Sequence, residues 1–258
     1  MRSIWTGSIG FGLVNIPVKM YSGVQGSELN LDMLDSKDHA NIKFQRVNAN
    51  TGKVVPYENI VKGYKVDSGE YVILTDEDFK KASPEKTKMI EISQFVEEKE
   101  IDSMYYESPY YLEPDKAGVK AYGLLRDALK KTGKAGLGTY VLRSKESLGL
   151  IKVVNNTMIL QKIRFAEEIR KPEGLNIPDT ESKAPELKMA IALVDQLTAK
   201  FDVSKFKDTY TEQLMKLIDA KAKGKKIEAP SMRVVHSKSK DLMAQLKASL
   251  DTKKRKAS

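Results

Sequence analysis

Met1 to Ser22 reads MRSIWTGSIGFGLVNIPVKMYS. Six of these positions are Gly or Ser, and Pro17 comes near the end. Between them stand Ile4, Trp5, Ile9, Phe11, Leu13, Val14, Ile16 and Val18. β-Branched, aromatic and aliphatic side chains of this kind suit a pleated, buried surface, so the stretch predicts two strands inside a sheet. Gly7, Gly10 and Gly12 predict a bulge or a sharp bend between them.

The same period-two language continues outward. Leu29, Leu31 and Met33 alternate with Asn30 and Asp32, and Ile42 and Phe44 alternate with Lys43 and Gln45. Both runs predict half-buried strands. Asn48-Ala-Asn-Thr-Gly52 is a turn cluster, and Asp67-Ser-Gly-Glu70 predicts a hairpin turn before Tyr71–Thr75. A short helix begins at Thr75, with Asp78 in the capping-box position. Strands are expected around Met89–Val96 and Met104–Leu112. Asp115–Thr132 reads as a helix whose apolar face is Ala121, Leu124, Leu125, Ala128 and Leu129, ended by Gly133. Three more strands follow at Gly138–Arg143, Leu148–Val154 and Thr157–Phe165, with Asn155-Asn156 as a turn. Seven to nine strands around one embedded helix predict a barrel.

Lys171-Pro-Glu-Gly-Leu-Asn-Ile-Pro178 is a connector, after which the pattern becomes helical. Leu187, Ile191, Val194, Leu197 and Phe201 stripe a helix over Pro185–Phe201. Tyr210, Leu214, Leu217 and Ile218 stripe a second over Ser204–Lys221. Stripes of this kind pack on the parent domain by default, and otherwise on a partner subunit. Lys221–Lys238 reads as a linker. In Ser239–Leu250, Leu242, Met243, Leu246 and Leu250 share one face, and a helix so short needs a surface to dock on.

The net charge of +9 is uneven. Residues 221–258 hold twelve Lys/Arg against three Asp/Glu, while residues 1–220 hold thirty-two of each. Within the neutral part, 37–65 has six basic and two acidic residues, 76–115 has five and twelve, and 116–171 has thirteen and four. Such polarisation lets one molecule offer a cationic surface to an anionic polymer, although mixed blocks are also ordinary solvated faces. The tail is the clearer sign of nucleic-acid contact.

The chain contains no Cys, so disulfides, thiolate metal sites and cysteine nucleophiles are excluded. Neither a signal peptide nor a membrane span is expected. His39 lies in a polar turn and His236 in the linker, with no metal-ligand spacing between them. No phosphate-cradling G-x-x-x-x-G-K-[ST] run occurs. Asp76-Glu77-Asp78 could hold a hard cation, as a nuclease would, but acidic residues in a first helical turn more often serve the helix dipole. Nothing assembles a nucleophile, a base and an orienting group, so the expected class is a binding protein without catalysis, cofactor or metal.

Trp5 to Lys19, WTGSIGFGLVNIPVK, resembles the W-x-G-S-I-x-F-G-L-V-N-I-P-V-K opening of the bacterial Ku proteins. Further blocks of that family are matched in order by Val55-Pro-Tyr-Glu58 with Ile60–Tyr64, Tyr71–Phe79, Pro109–Leu112, Lys120–Arg126 and Thr132–Lys134. Phe201-Asp202 with Asp208–Tyr210 resembles the family's helical arm, and Asp241–Ser249 its minimal C-terminal segment.

The resemblance implies a mixed, mainly β fold: a Ku-type β-barrel with an inserted DNA-encircling arch, followed by a helical C-terminal arm. The expected division is a core over 1–176 with the arch at 38–72, an arm for dimerisation over 177–222, and a linker, minimal helix and short basic tail over 223–258. It implies a homodimeric ring on double-stranded DNA ends and recruitment of a multifunctional ATP-dependent ligase of the ligase D type. It also implies a cytoplasmic, nucleoid-associated location. Candidate DNA contacts are Lys37, Lys43, Arg46, Lys53, Lys62 and Lys65 in the arch and Arg2, Lys19, Arg143 and Lys145 on the barrel. Leu242, Met243, Leu246 and Leu250 would form the ligase-docking face. This chain departs from many relatives in lacking cysteines after Arg46-Val47 and in ending shortly after the docking segment. An architectural duplex binder without end preference, a nuclease at Asp76 and a protein-interaction module are the competing readings.

Overall fold

In the computed structural model the opening stretch forms β1 (Trp5–Phe11) and β2 (Val14–Ser22), paired antiparallel from Trp5↔Met20 to Phe11↔Val14 without a break. The connection is two residues long, and its first, Gly12, has φ +56°. A positive φ at that position is what a two-residue hairpin with Gly first requires. The expected sharp bend is therefore at Gly12, while Gly7 and Gly10 stay in register and make no bulge. The structure describes residues 1–82, 88–143, 145–225 and 242–254; His236 and most of the expected linker and tail lie outside them.

After an insertion to residue 75 come α1 (Asp76–Ala82), β5 (Met89–Glu97), β6 (Tyr106–Pro114), α2 (Val119–Thr132), β7 (Lys134–Leu142), β8 (Lys145–Val154) and β9 (Thr157–Ile163). Seven strands close a barrel in the order β1-β2-β6-β9-β8-β7-β5, and the parallel pair β1–β5 seals it. Ile9, Ile16, Met20, Ile90, Leu112, Leu150, Ile151, Met158 and Leu160 are fully buried. The β8–β9 turn is Asn155-Asn156 at φ +47° and +68°, the two positive values of a type I′ hairpin.

Helix α2 buries Tyr122, Leu125 and Leu129 against the barrel core, and Gly133 (φ +67°) caps it by donating to Leu129 O at 2.9 Å. Tyr122 does more than pack. Its hydroxyl donates to Leu112 O (2.8 Å) and accepts from Met158 N–H (2.9 Å). The β6–β9 ladder ends at Tyr111↔Ile159, so Leu112 and Met158 are the next pair in register. The phenol thus replaces a ladder hydrogen bond where the two strands part. Replacing Tyr122 by Phe leaves two buried backbone groups unpaired and is expected to cost about 2 kcal/mol in urea unfolding.

Tyr140 presents the opposite case. It is fully buried, and its hydroxyl has no partner in hydrogen-bonding geometry among the described residues, although Ser147 stands near enough to pull its pKa down in part. Tyr140→Phe is therefore expected to be neutral or stabilising by about 1 kcal/mol. Burial raises both phenols above their ordinary value of 10.0. A raised folded-state pKa means that stability is full below pH 10 and falls as the pH climbs past it.

The chain divides into two units: Met1–Gly26 with Asn30–Lys171, and Ser27–Leu29 with Pro172–Ser258. In the second unit are α3 (Ala184–Leu197), α4 (Thr209–Ala222) and α5 (Leu242–Lys254). Both arm helices are shorter than the expected Pro185–Phe201 and Ser204–Lys221. Helix α3 stops before Phe201, and a 3-10 turn at Val203–Lys205 precedes α4, which Asp208 caps by accepting from Thr211 N–H at 3.1 Å.

Candidate nucleic-acid interface

Between β2 and α1 the insertion is built from three tight turns rather than from long strands. The first spans the bridge Leu34↔Asn41, with Lys37 N–H donating to the Asp35 carboxylate at 2.8 Å. The second spans Val47↔Val54. There the Asn48 side chain accepts from the N–H groups of Asn50 and Thr51, and Gly52 takes φ +66°. The third is the hairpin of β3 (Lys62–Lys65) and β4 (Tyr71–Leu74), turned at Gly69. The expected strands at 29–33 and 42–44 do not form. Their alternation is real, but no continuous sheet partner lies beside them, and Met33 and Phe44 are 60% and 79% exposed.

Each turn carries expected contacts. Lys37 lies in the first and Lys43 follows it; Arg46 and Lys53 flank the second; Lys62 and Lys65 lie on β3, three residues apart and so on opposite faces. None of the six forms an ion pair among the described residues. Arg46 instead lies over the Tyr57 ring, 5.3 Å from its centroid, and Lys62 over Phe79 at 4.5 Å. Rings beneath cations orient them without cancelling their charge. Apolar side chains share the insertion: Tyr64, Tyr71, Val72 and Ile73 of the β3–β4 hairpin are all largely exposed, Tyr64 at 67%.

Of the four barrel candidates, the structure gathers two. Arg143 and Lys145 line a recess of about 410 Å³ together with Tyr110, Leu142, Ser147 and Lys162. Ser22, where β2 ends and the insertion begins, is also on its wall. The order β6-β9-β8-β7 brings Lys162 beside the β7–β8 turn, a placement with no signature in the local sequence. Arg2 is exposed and does not line the recess, although Ile4 does, and Lys19 is 3.9 Å from Asp115, which compensates its charge.

Asp78 is occupied as a cap. It accepts from Thr75 N–H at 2.9 Å while its own N–H donates to Thr75 Oγ1 at 3.3 Å. The Thr75 N–H and, after it, the Thr75 hydroxyl, which donates to the same carboxylate oxygen at 2.7 Å, hold the Asp78 carboxyl below the usual carboxylate range. This reciprocal pairing is the capping box the sequence predicts. Among the described residues no group of three or more His, Asp or Glu converges as metal ligands, and no helix is long and apolar enough to cross a membrane.

In the second unit α5 packs along α3, and Gln196 Nε2 donates to Leu250 O at 3.5 Å. The expected docking face is consequently divided: Leu242 is exposed, while Met243, Leu246 and Leu250 are half-buried. On α3, Leu187, Ile191, Val194 and Leu197 stand exposed as one stripe, Val194 at 64%.

Comparison with known proteins places this architecture. The family model described as the Ku70/Ku80 beta-barrel domain matches residues 10–190. A Bacillus subtilis protein named non-homologous end joining protein Ku is 39% identical, covering 99% of this chain and 83% of its own length. Proteins of the same name from Coxiella burnetii (38%; 98% of this chain, 96% of theirs) and Archaeoglobus fulgidus (41%; 98% and 100%) match comparably. A closed barrel with these ordered blocks and nearly full-length identity of about 40% leaves one conclusion: the chain belongs to the Ku family.

Proposed function

We propose that this protein binds double-stranded DNA ends without regard to sequence, as a non-catalytic homodimeric ring acting in non-homologous end joining. The observation that carries the reading is the insertion, where six cations with no ion pair among the described residues share three turns with exposed apolar side chains. Free cations release counterions from a phosphate backbone and give affinity without base readout. Uncovered apolar strands on the same segment call for a second copy to cover them. The names of the relatives supply the process. In this reading 38–72 is the arch of a core over 1–176, and 177–222 is the arm that embraces the partner subunit through Leu187, Ile191, Val194 and Leu197. Residues 223–258 carry the docking segment for an ATP-dependent ligase of the ligase D type, with Leu242, Met243, Leu246 and Leu250 as its face. The site of action is the cytoplasmic nucleoid.

Ile191→Glu with Val194→Glu tests the arm. Light scattering is expected to show a dimer in the parent protein and a monomer in the variant, with the barrel still folded. A variant that stays dimeric removes the arm from the interface. The +9 of residues 221–258 favours a second reading, a duplex binder that ignores ends. Circular and linear DNA would then compete equally.

A further inference from the structure

The recess at the barrel mouth has a composition that general backbone contact does not require. Three cations line it, Arg143, Lys145 and Lys162, and no carboxylate does among the described residues. Lys162 shares its charge with Glu107 at 2.6 Å, whereas Arg143 and Lys145 pair with no acid among the described residues. The β7–β8 ladder runs to Leu142↔Lys145, which places Lys145 at the end of β8 and Arg143 next to the last residue of β7. Ser147 is buried, with its hydroxyl beside that of the buried Tyr140. Leu142 and the half-buried Tyr110 ring give the same recess an apolar side. A volume of about 410 Å³ exceeds what one phosphate needs and falls in the range of small-ligand pockets.

An anion-binding wall facing an aromatic wall, in a recess of this size, matches one chemical class. We propose that the barrel-mouth pocket binds a single phosphorylated nucleotide, its phosphate on Arg143 and Lys145 and its base against Tyr110. The guanidinium fork suits phosphate oxygens, and base stacking on an aromatic ring is tolerant of sequence. The nucleotide comes either from the unpaired terminus of a DNA strand or from free solution. The first source deepens the end-binding reading and rests on it, because Ser22 on the pocket wall is where the insertion leaves the barrel. The second does not depend on it.

Two measurements on the full-length protein test the site. Calorimetric titration with dAMP, against deoxyadenosine, is expected to show at least a tenfold preference for dAMP. Arg143→Gln with Lys145→Gln should erase that preference, with the circular dichroism unchanged. In the second, a duplex with a one-nucleotide 5-iododeoxyuridine overhang is irradiated on the protein. A cross-link at Tyr110 that the double variant loses assigns the pocket to the DNA terminus; dAMP preference without the cross-link assigns it to free nucleotide. Equal affinity for dAMP and deoxyadenosine overturns the proposal, even if the protein still binds duplex. Loss of duplex binding with dAMP preference intact would instead count against the end-binding function.

Discussion

Changing Lys37, Lys43, Arg46, Lys53, Lys62 and Lys65 to Glu together is expected to lower duplex affinity by about 10³-fold or more near 0.15 M salt. Each cation is unpaired among the described residues, so its field is fully available to phosphate, and two subunits double the number in a dimer. The cause can be read separately from the size of the effect. A protein that neutralises phosphates loses affinity with rising salt at a slope of about 0.9 per contact on logarithmic axes. The parent should therefore show a steep salt dependence and the variant a shallow one. Folding should survive, because all six side chains are exposed and none makes a structural bond that the barrel uses. An unchanged affinity in fluorescence anisotropy would remove the insertion from the DNA interface.

Gly138→Val is expected to be the most damaging single change in the barrel. Gly138 lies on β7 opposite Ile92, beside the bulge between Ile92 and Gln94 of β5. A Cβ there would stand 1.8 Å from Glu91 O and 2.9 Å from Ile92 Cα. Those are backbone atoms, so no rotamer change relieves the clash; the β5–β7 seam has to open. Overpacking that forces backbone shifts costs about 3 kcal/mol, and a seam in a closed barrel has no free edge to move. Gly123→Ala on α2 is the control, since nothing lies within 4 Å of its added carbon. It should stabilise by up to about 1 kcal/mol through helix propensity. Equal urea midpoints for Gly138→Val and the parent would contradict the close approach.

What could be read directly from the sequence is local chemistry. Asn155-Asn156, Asp67-Ser-Gly-Glu70 and Thr75 with Asp78 each dictate a turn or a cap from their own side chains, and each is found where expected. The strand content of 89–165 follows from alternation and turn residues in the same way. Alternation does not say what a strand pairs with, however. Leu31, Met33, Ile42 and Phe44 have the spacing of a sheet face, yet all remain exposed in the single chain. The missing sheet contact is not local information.

The same limit applies to the candidate site. Exposed lysines in the insertion are visible as a charge block. Lys162 becomes a neighbour of Arg143 and Lys145 only through the strand order, and Tyr122 bridges two strands only because the β6–β9 ladder stops one pair early. Apolar periodicity locates the face of α2 but not the hydroxyl's role. Helix α5 shows a further gap: its shared apolar face is evident in the sequence, while its packing along α3 is not.

The ring is the central claim, and topology tests it more directly than affinity. The protein is bound to linear duplex, the DNA is ligated into circles, and the salt is raised to 1 M, about where phosphate contacts are screened within 3 Å. Circles closed before protein is added serve as the comparison. A threaded ring remains on the circles closed after loading and is absent from the others. Equal release from both sets would contradict encirclement and leave a protein that only touches phosphates.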